Sequence, residues 1–346
     1  MTTHSKNIFF FNKKTVVQFV LSLFVFFIHF QTFSAFSASG KLLSTLFSAC
    51  SSFTHVAVPL FFLISGALFY RDYTPACTLN KWKNRFFTLC VPYLTWNSIW
   101  LMLAMLGHYT PLGAFLGGVK TAFSWQALFS GVFLHAFFEP FWFVLQLIML
   151  TALSPILYYL LKNKWGGVIT ILAYFILSSL NLPPANILLP FPNTVLYYLI
   201  GSWIGIHSYE SFAIRKPKGP ALAAAVLFLL CSIYFGIRHL LPNVCSAKQI
   251  TLIVTTISCA AFWTLFDLFD MKACPGFMSH SFLIYAMHSF IGAAASRIMI
   301  MILPRSPLST VVAAVVTFPL TVCIICVFGK FLATRLPAMK RILSGR

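Results

Sequence analysis

The chain of 346 residues is 60% hydrophobic and 8% charged, with 39 phenylalanines and a mean hydropathy of +0.89, whereas an ordinary soluble domain is roughly 25% charged. That ratio excludes a water-facing globular surface, so most side chains must meet lipid or other apolar helices. The formal charge of +19, from 24 Lys+Arg against 5 Asp+Glu, is scattered between apolar runs rather than gathered on one solvated face, which excludes a nucleic-acid-binding surface.

In chain order, Lys6, Lys13 and Lys14 precede an apolar run over 16–30 and a small-residue stretch over 34–39. The pattern mimics a cleavable signal peptide, but in a multi-span chain it reads better as a retained first span acting as signal-anchor. Apolar stretches of crossing length follow, giving spans near 15–36, 55–70, 88–106, 141–161, 166–181, 191–208, 220–240, 249–268, 279–303 and 308–334. The second and fifth are short enough to begin earlier, lie tilted or be partly re-entrant. The predicted fold class is therefore all-α: a polytopic transmembrane bundle of about ten spans. It forms one integral membrane domain over 1–346, with short tails at 1–14 and 335–346.

The charges between spans test this layout independently, because cytoplasmic loops are richer in Lys and Arg. With the N-terminus inside, the outer side holds only Lys41, Lys120, Arg238, Lys248 and Arg305. Arg297 falls within a span, and the other eighteen basic residues are cytoplasmic. Both termini are predicted to be cytoplasmic. The longest outer stretch, 107–140, carries Trp125, Phe137 and Phe138, which suit an interfacial position. Prolines 183, 184, 190 and 192 punctuate a second outer loop.

Polar side chains inside spans are costly and usually face a cavity or a functional path. His29 lies about 14 residues, or roughly 21 Å, from the start of its span, past the midplane on the outer side. Gln18, eleven residues earlier, projects from nearly the same face. His288 is the second buried histidine. Either ring can be a packing histidine satisfied by a backbone carbonyl. Neither belongs to an i,i+4 pair or has a carboxylate beside it, so no metal site is expected. The nine cysteines have no periodic spacing, and the pair Cys323 and Cys326 lacks a second ligand pair, so they read as packing residues. Ser65-Gly66 in the second span permits close backbone approach, and Gly201 and Gly205 form a GxxxG packing pair. Lys81, Lys83 and Arg85 run into Val91-Pro92-Tyr93. Positive-inside topology explains these cations without a ligand, and an anionic cofactor would explain them equally well.

Taken together these segments resemble the acyltransferase 3 family, integral membrane enzymes that move acyl groups, commonly acetyl, onto sugars and other envelope components. The matching pieces are Phe26-Phe27-Ile28-His29, Val58 to Gly66, Arg85 to Tyr93, Phe141-Trp142-Phe143 and Tyr285 to His288, in the family's order across nearly the whole chain. The resemblance implies that His29 corresponds to the family's essential first-span histidine. It implies also an acyl-CoA donor, with acetyl-CoA the commonest case. The family usually carries an arginine eleven residues before that histidine; here the position is Gln18, which keeps hydrogen bonding but not charge.

The expected reaction moves an acyl group from a cytoplasmic thioester to a hydroxyl of an envelope glycan or a lipid-linked sugar. His29 would act as the catalytic base or as an acylated intermediate. Candidates for oxyanion or substrate contact are Gln18, Ser65, Tyr93, Asn97, Trp142 and His288, with Arg71, Lys81, Lys83 and Arg85 for the donor's phosphates. No tightly bound cofactor is expected, and the setting is a multi-pass protein of the bacterial inner membrane. The rival reading is a secondary transporter or exporter of a lipid or sugar. Against it, all five acids, Asp72, Glu139, Glu210, Asp267 and Asp270, fall in loops or at span ends, whereas proton coupling commonly uses an intramembrane carboxylate. A glycan polymerase or ligase would call for more catalytic polar residues in the 107–140 stretch.

Overall fold

The computed structural model describes residues 3–30, 50–111, 120–180, 191–240, 247–303 and 306–345. The small-residue stretch 34–39, Lys41, Pro183, Pro184, Pro190 and Arg305 lie outside the described residues. All regular structure among the described residues is helical.

The first helix, α1, runs Thr3–Phe30, and its apolar window is Asn7–His29. The first span thus begins earlier than the expected residue 15, most of the expected tail at 1–14 is already helix, and the expected end at 31–36 lies outside the described residues. Among the described residues, six helices are long and apolar enough to cross a membrane. The expected fourth span is instead a bent pair, Glu139–Ala152 with Ser154–Leu161, turning by 66°. Pro155 sits in the first turn after the break, where its missing N–H and its ring end the preceding helical ladder. The two spans read as short are helices of 10–17 residues, Thr54–Tyr70 and Lys164–Ser179.

The packing divides the chain into two compact units. The first comprises Met1–Leu21, Ser48–Lys83 and Gln146–Pro275. Its centre is the pair α2 (Ala57–Tyr70) and a helix over Pro192–His207. A Cβ at Gly201 would overlap the Leu63 backbone, one at Gly205 the Ala67 carbonyl, and one at Gly66 the Tyr198 carbonyl. The glycines therefore bring two backbones together in the manner of small-residue helix pairs in lipid. Beyond α2, Lys81 Nζ donates to the carbonyls of Phe69 (2.5 Å) and Arg71 (2.7 Å), placing a cation at the negative end of the helix dipole.

The same unit holds a buried ion pair, Lys13 Nζ to Asp267 Oδ1 at 2.7 Å, with side chains 2% and 1% exposed. Asp267 also accepts from the Lys216 backbone N–H through Oδ2 (3.2 Å), and Lys13 Nζ lies 4.4 Å from the Trp263 ring centre. Asp267 sits at the end of its span, in the one-turn helix Phe266–Leu268, which agrees with the expected position, and there it is enclosed and neutralised by α1.

The second unit comprises Ser22–Phe47, Asn84–Leu145 and Gly276–Arg346. It takes up the chain at Asn84, at the end of α3 (Thr78–Arg85), which passes through a π turn, Phe86–Cys90, into α4 (Val91–Tyr109). The short α5 covers Trp125–Phe133, and α6 (Trp142–Ala152) begins in this unit and passes into the first at Gln146. Two further helices, Ser281–Ile302 and Pro307–Arg335, pair closely along their length. The expected C-terminal tail forms a helix, Pro337–Ser344, against α4. Trp96 Nε1 donates to the Leu343 carbonyl at 2.8 Å, and the left-handed Gly345 closes the helix over the Thr88 backbone, where a Cβ would not fit.

Two substitutions test the first unit. Lys13→Met leaves the Asp267 carboxylate buried without its cation and is expected to cost about 3–5 kcal/mol. Adding Asp267→Leu should recover part of that loss. Gly201→Ala should cost about 1–3 kcal/mol through overpacking. Thermal unfolding of the detergent-solubilised variants reads all three.

Candidate active site

The residues that converge lie in the second unit, around one imidazole. His288 sits mid-helix on Ser281–Ile302 and is wholly buried. Its Nδ1 stands 2.8 Å from the Tyr285 carbonyl oxygen and 3.2 Å from that of Ile284. A carbonyl oxygen only accepts, so Nδ1 carries the hydrogen and in the neutral ring Nε2 keeps its lone pair. That Nε2 is buried and has no hydrogen-bond partner among the described residues. The ring centre lies 5.4 Å from that of His29, 5.5 Å from Phe26 and 6.1 Å from Phe138. Two histidines far apart in sequence are therefore neighbours.

α1 carries His29 at its last turn, anchored one turn earlier by Phe26, which stacks on Phe318 with ring centres 4.5 Å apart. The opposite wall comes from the turn before α6. Tyr285 OH donates to the Pro140 carbonyl, and Tyr285, Phe141 and Tyr93 stack in series, at 5.6 Å and 5.9 Å between centres. This fixes the one-turn helix Glu139–Phe141. Glu139 is exposed, and its charge reaches both His29 and His135. His135 itself is buried in a left-handed backbone conformation (φ 49°). Burial pushes its imidazole below the usual histidine range, opposed by its own backbone and by Glu139.

Further polar atoms join this wall without partners among the described residues: Trp100 Nε1, Asn97 Oδ1 and His135 Nε2. Trp100 stacks on Phe138 at 4.5 Å with an interplanar angle of 4°. Asn97 donates through Nδ2 to the Val132 carbonyl at 3.2 Å, and Tyr93 OH donates to that of Phe133 at 2.8 Å. Buried unsatisfied atoms each cost about 1–3 kcal/mol, and one N–H donor beside several acceptors suits a hydroxyl-bearing ligand.

His55, in the first unit, makes the contrast. Its Nδ1 faces the Ser52 carbonyl at 2.5 Å and its Nε2 faces Ser258 Oγ at 2.7 Å. The ring lies 3.8 Å from Phe235. Both nitrogens are satisfied and Ser258 is fully buried, so this serine–histidine pair is a packing device. The first unit also has a cavity of about 250 Å³ lined by Ser208, Ser211, Lys216, Trp263 and Asp267 among others, which includes none of the predicted site residues. No cluster of three metal-ligating side chains occurs among the described residues.

Of the sequence-predicted residues, His29, Tyr93, Asn97, Trp142, Arg85 and His288 fall in the second unit. Trp142 and Arg85 are half-buried. Gln18, Ser65, Arg71, Lys81 and Lys83 fall in the first. Gln18 shares the continuous α1 with His29, and Ser65 is half-buried beside Gly66. Arg71 donates to Asp72 (3.1 Å) and to the Tyr209 hydroxyl (3.3 Å), and Lys81 is occupied at the end of α2. Lys83 is exposed. Sequence reasoning missed Trp100 and His135 and treated Glu139 as an interfacial residue only. The signal available was the run Phe137-Phe138-Glu139-Pro140, two aromatics and an acid held by a proline.

The family model described as acyltransferase domain, designated acyltransferase 3, matches residues 15–330. The chain belongs to the acyltransferase 3 family. It is thus an acyltransferase with membrane helices, and the match takes in both histidines of the pair. Neither the curated proteins nor the solved structures contain a match to it. For this acyltransferase, the packing role of His55 predicts that His55→Leu lowers the unfolding temperature, as expected from about 1–3 kcal/mol for an orphaned Ser258. Acyl transfer per folded molecule should stay within about twofold, because additivity holds for sites without shared partners; an acyl-transfer assay on size-exclusion-purified protein checks this.

Proposed function

We propose that this acyltransferase moves an acyl group, acetyl in the family's commonest case, from cytoplasmic acyl-CoA to a hydroxyl of an envelope glycan or a lipid-linked sugar. The observation that carries the reading is the pairing of His29 with His288 beside an aromatic wall where three further polar atoms, Trp100 Nε1, Asn97 Oδ1 and His135 Nε2, lack partners among the described residues. A sugar offers both donors and acceptors to such a wall, and aromatic faces suit its apolar C–H surface.

In the reaction, the acceptor oxygen attacks the thioester carbonyl carbon while His29 removes the hydroxyl proton. The tetrahedral intermediate then collapses, the C–S bond breaks and the proton passes to the departing thiolate. Trp100 Nε1–H is a donor suited to the oxyanion. Arg85 and the exposed Lys83 are the cations best suited to the donor's phosphates, since Lys81 already binds backbone carbonyls. Gln18 contributes hydrogen bonding without charge. The proposed setting is a bacterial cytoplasmic membrane, crossed about ten times with both termini inside. One bent pair and two shorter apolar helices, Thr54–Tyr70 and Lys164–Ser179, support spans beyond the six long ones.

Purified protein in lipid vesicles, given acetyl-CoA labelled in the acetyl group, should transfer label to an envelope saccharide acceptor. His29→Ala should lower transfer by at least about 10²-fold, the range for loss of a general base, while the variant stays inserted and monodisperse. An inserted His29→Ala variant with wild-type transfer would end the assignment.

A further inference from the structure

The mechanism leaves one question about the base itself. An imidazole withdraws a proton only through an unprotonated nitrogen, so the reaction needs His29 held in one tautomer, with its lone pair toward the hydroxyl and its N–H turned elsewhere. In hydrolytic triads an ionised carboxylate takes that N–H. Beside His29 stands another imidazole, its ring centre 5.4 Å away.

We propose that His288 is a positioning residue that accepts the N–H of His29 through its Nε2 and so fixes the tautomer of the base. Three observations carry this, and the inference rests on the reading of His29 given above. The Tyr285 and Ile284 carbonyls hold the hydrogen of His288 on Nδ1. Its Nε2 is buried with no partner among the described residues. Its ring centre stands 5.4 Å from that of His29 at an angle of 33°, a separation that a small ring rotation converts into an N–H···N hydrogen bond.

The chain of polarity then runs in one direction. Backbone carbonyls orient His288, His288 orients His29, and His29 faces the acceptor. No proton leaves His288 in the cycle: the hydroxyl proton goes to His29 and on to the thiolate. The carbonyls that fix His288 belong to its own helix, one turn back, so the orientation is built into the backbone rather than into a mobile side chain. Phe26, Phe138 and Tyr285 pack around the His288 ring.

The test compares His288→Phe, which keeps a ring but has no acceptor, with His288→Gln, whose amide oxygen reaches the place of Nε2. ¹⁵N-histidine NMR of the full-length protein in lipid, with the His29 signals assigned by their loss in His29→Gln, reads the tautomer without any acceptor substrate. His29 should occupy one tautomer in the wild type and in His288→Gln, and a mixture in His288→Phe. Where acetyl transfer is measured, His288→Phe should lose roughly 10- to 100-fold in kcat, the range for groups that orient a reactive ligand. Its KM should be nearly unchanged, and His288→Gln should restore most of the loss.

A His29 tautomer identical in the wild type and His288→Phe would overturn the inference, even if His29→Ala is inactive. Full transfer by His29→Ala would overturn the reading beneath it instead. If His288→Phe does not fold, His288→Asn carries the same test, because its shorter amide stops near the position of Nδ1.

Discussion

A buried imidazole in an apolar helix bundle has two polar nitrogens and no water to satisfy them, and each such ring must find partners within the chain or leave one nitrogen waiting. His55 takes the first course, with a carbonyl on one side and a serine hydroxyl on the other. His288 takes the second. Its helix supplies carbonyls to Nδ1 and leaves Nε2 without a partner among the described residues, in a ring whose centre lies 5.4 Å from that of His29. The chemistry assigned to the protein depends on that difference, because a fully satisfied ring is a strut while a half-satisfied one offers a lone pair of fixed direction.

The surrounding structure serves to keep that direction. Tyr285 follows the same helix one turn below, stacks on Phe141 and holds the Pro140 carbonyl, so the helix of His288 and the turn carrying Glu139 are joined. Phe26 ties α1 to Phe318 just before His29. In the other unit the equivalent rigidity comes from glycines rather than aromatics. Gly66, Gly201 and Gly205 let two helices touch backbone to backbone. The buried Lys13–Asp267 pair fastens the opposite end of α1.

Much of this was legible in the sequence because apolar runs, glycine spacing and misplaced histidines are local signals. The all-helical class followed from composition, the α2 packing from Ser65-Gly66 and the GxxxG pair, and the two histidines that prove to be neighbours stood out by their cost inside spans. What local pattern could not convey was pairing across the chain. The position of Asp267 at a span end was legible, but nothing near it in sequence reveals the lysine that neutralises it. Lys81 looked like a free cation because the carbonyls it caps come from the preceding helix. Trp100 looked like one aromatic among many, since its stacking on Phe138 and its unpaired N–H exist only in three dimensions. The start of α1 escapes the sequence for a simpler reason: Lys13 and Lys14 resemble the charged edge of a span, yet Lys13 is buried inside the fold.

The second unit is assembled from three separated stretches of chain, the last beginning at Gly276. During synthesis His29 is made with the first helix, and its partner emerges from the ribosome only after most of the other helices. Until then the early histidine has no His288 to meet, and the wall beside it is incomplete. A chain stalled before Gly276 carries the first imidazole without its mate, so the pair can form only once the last stretch has been made.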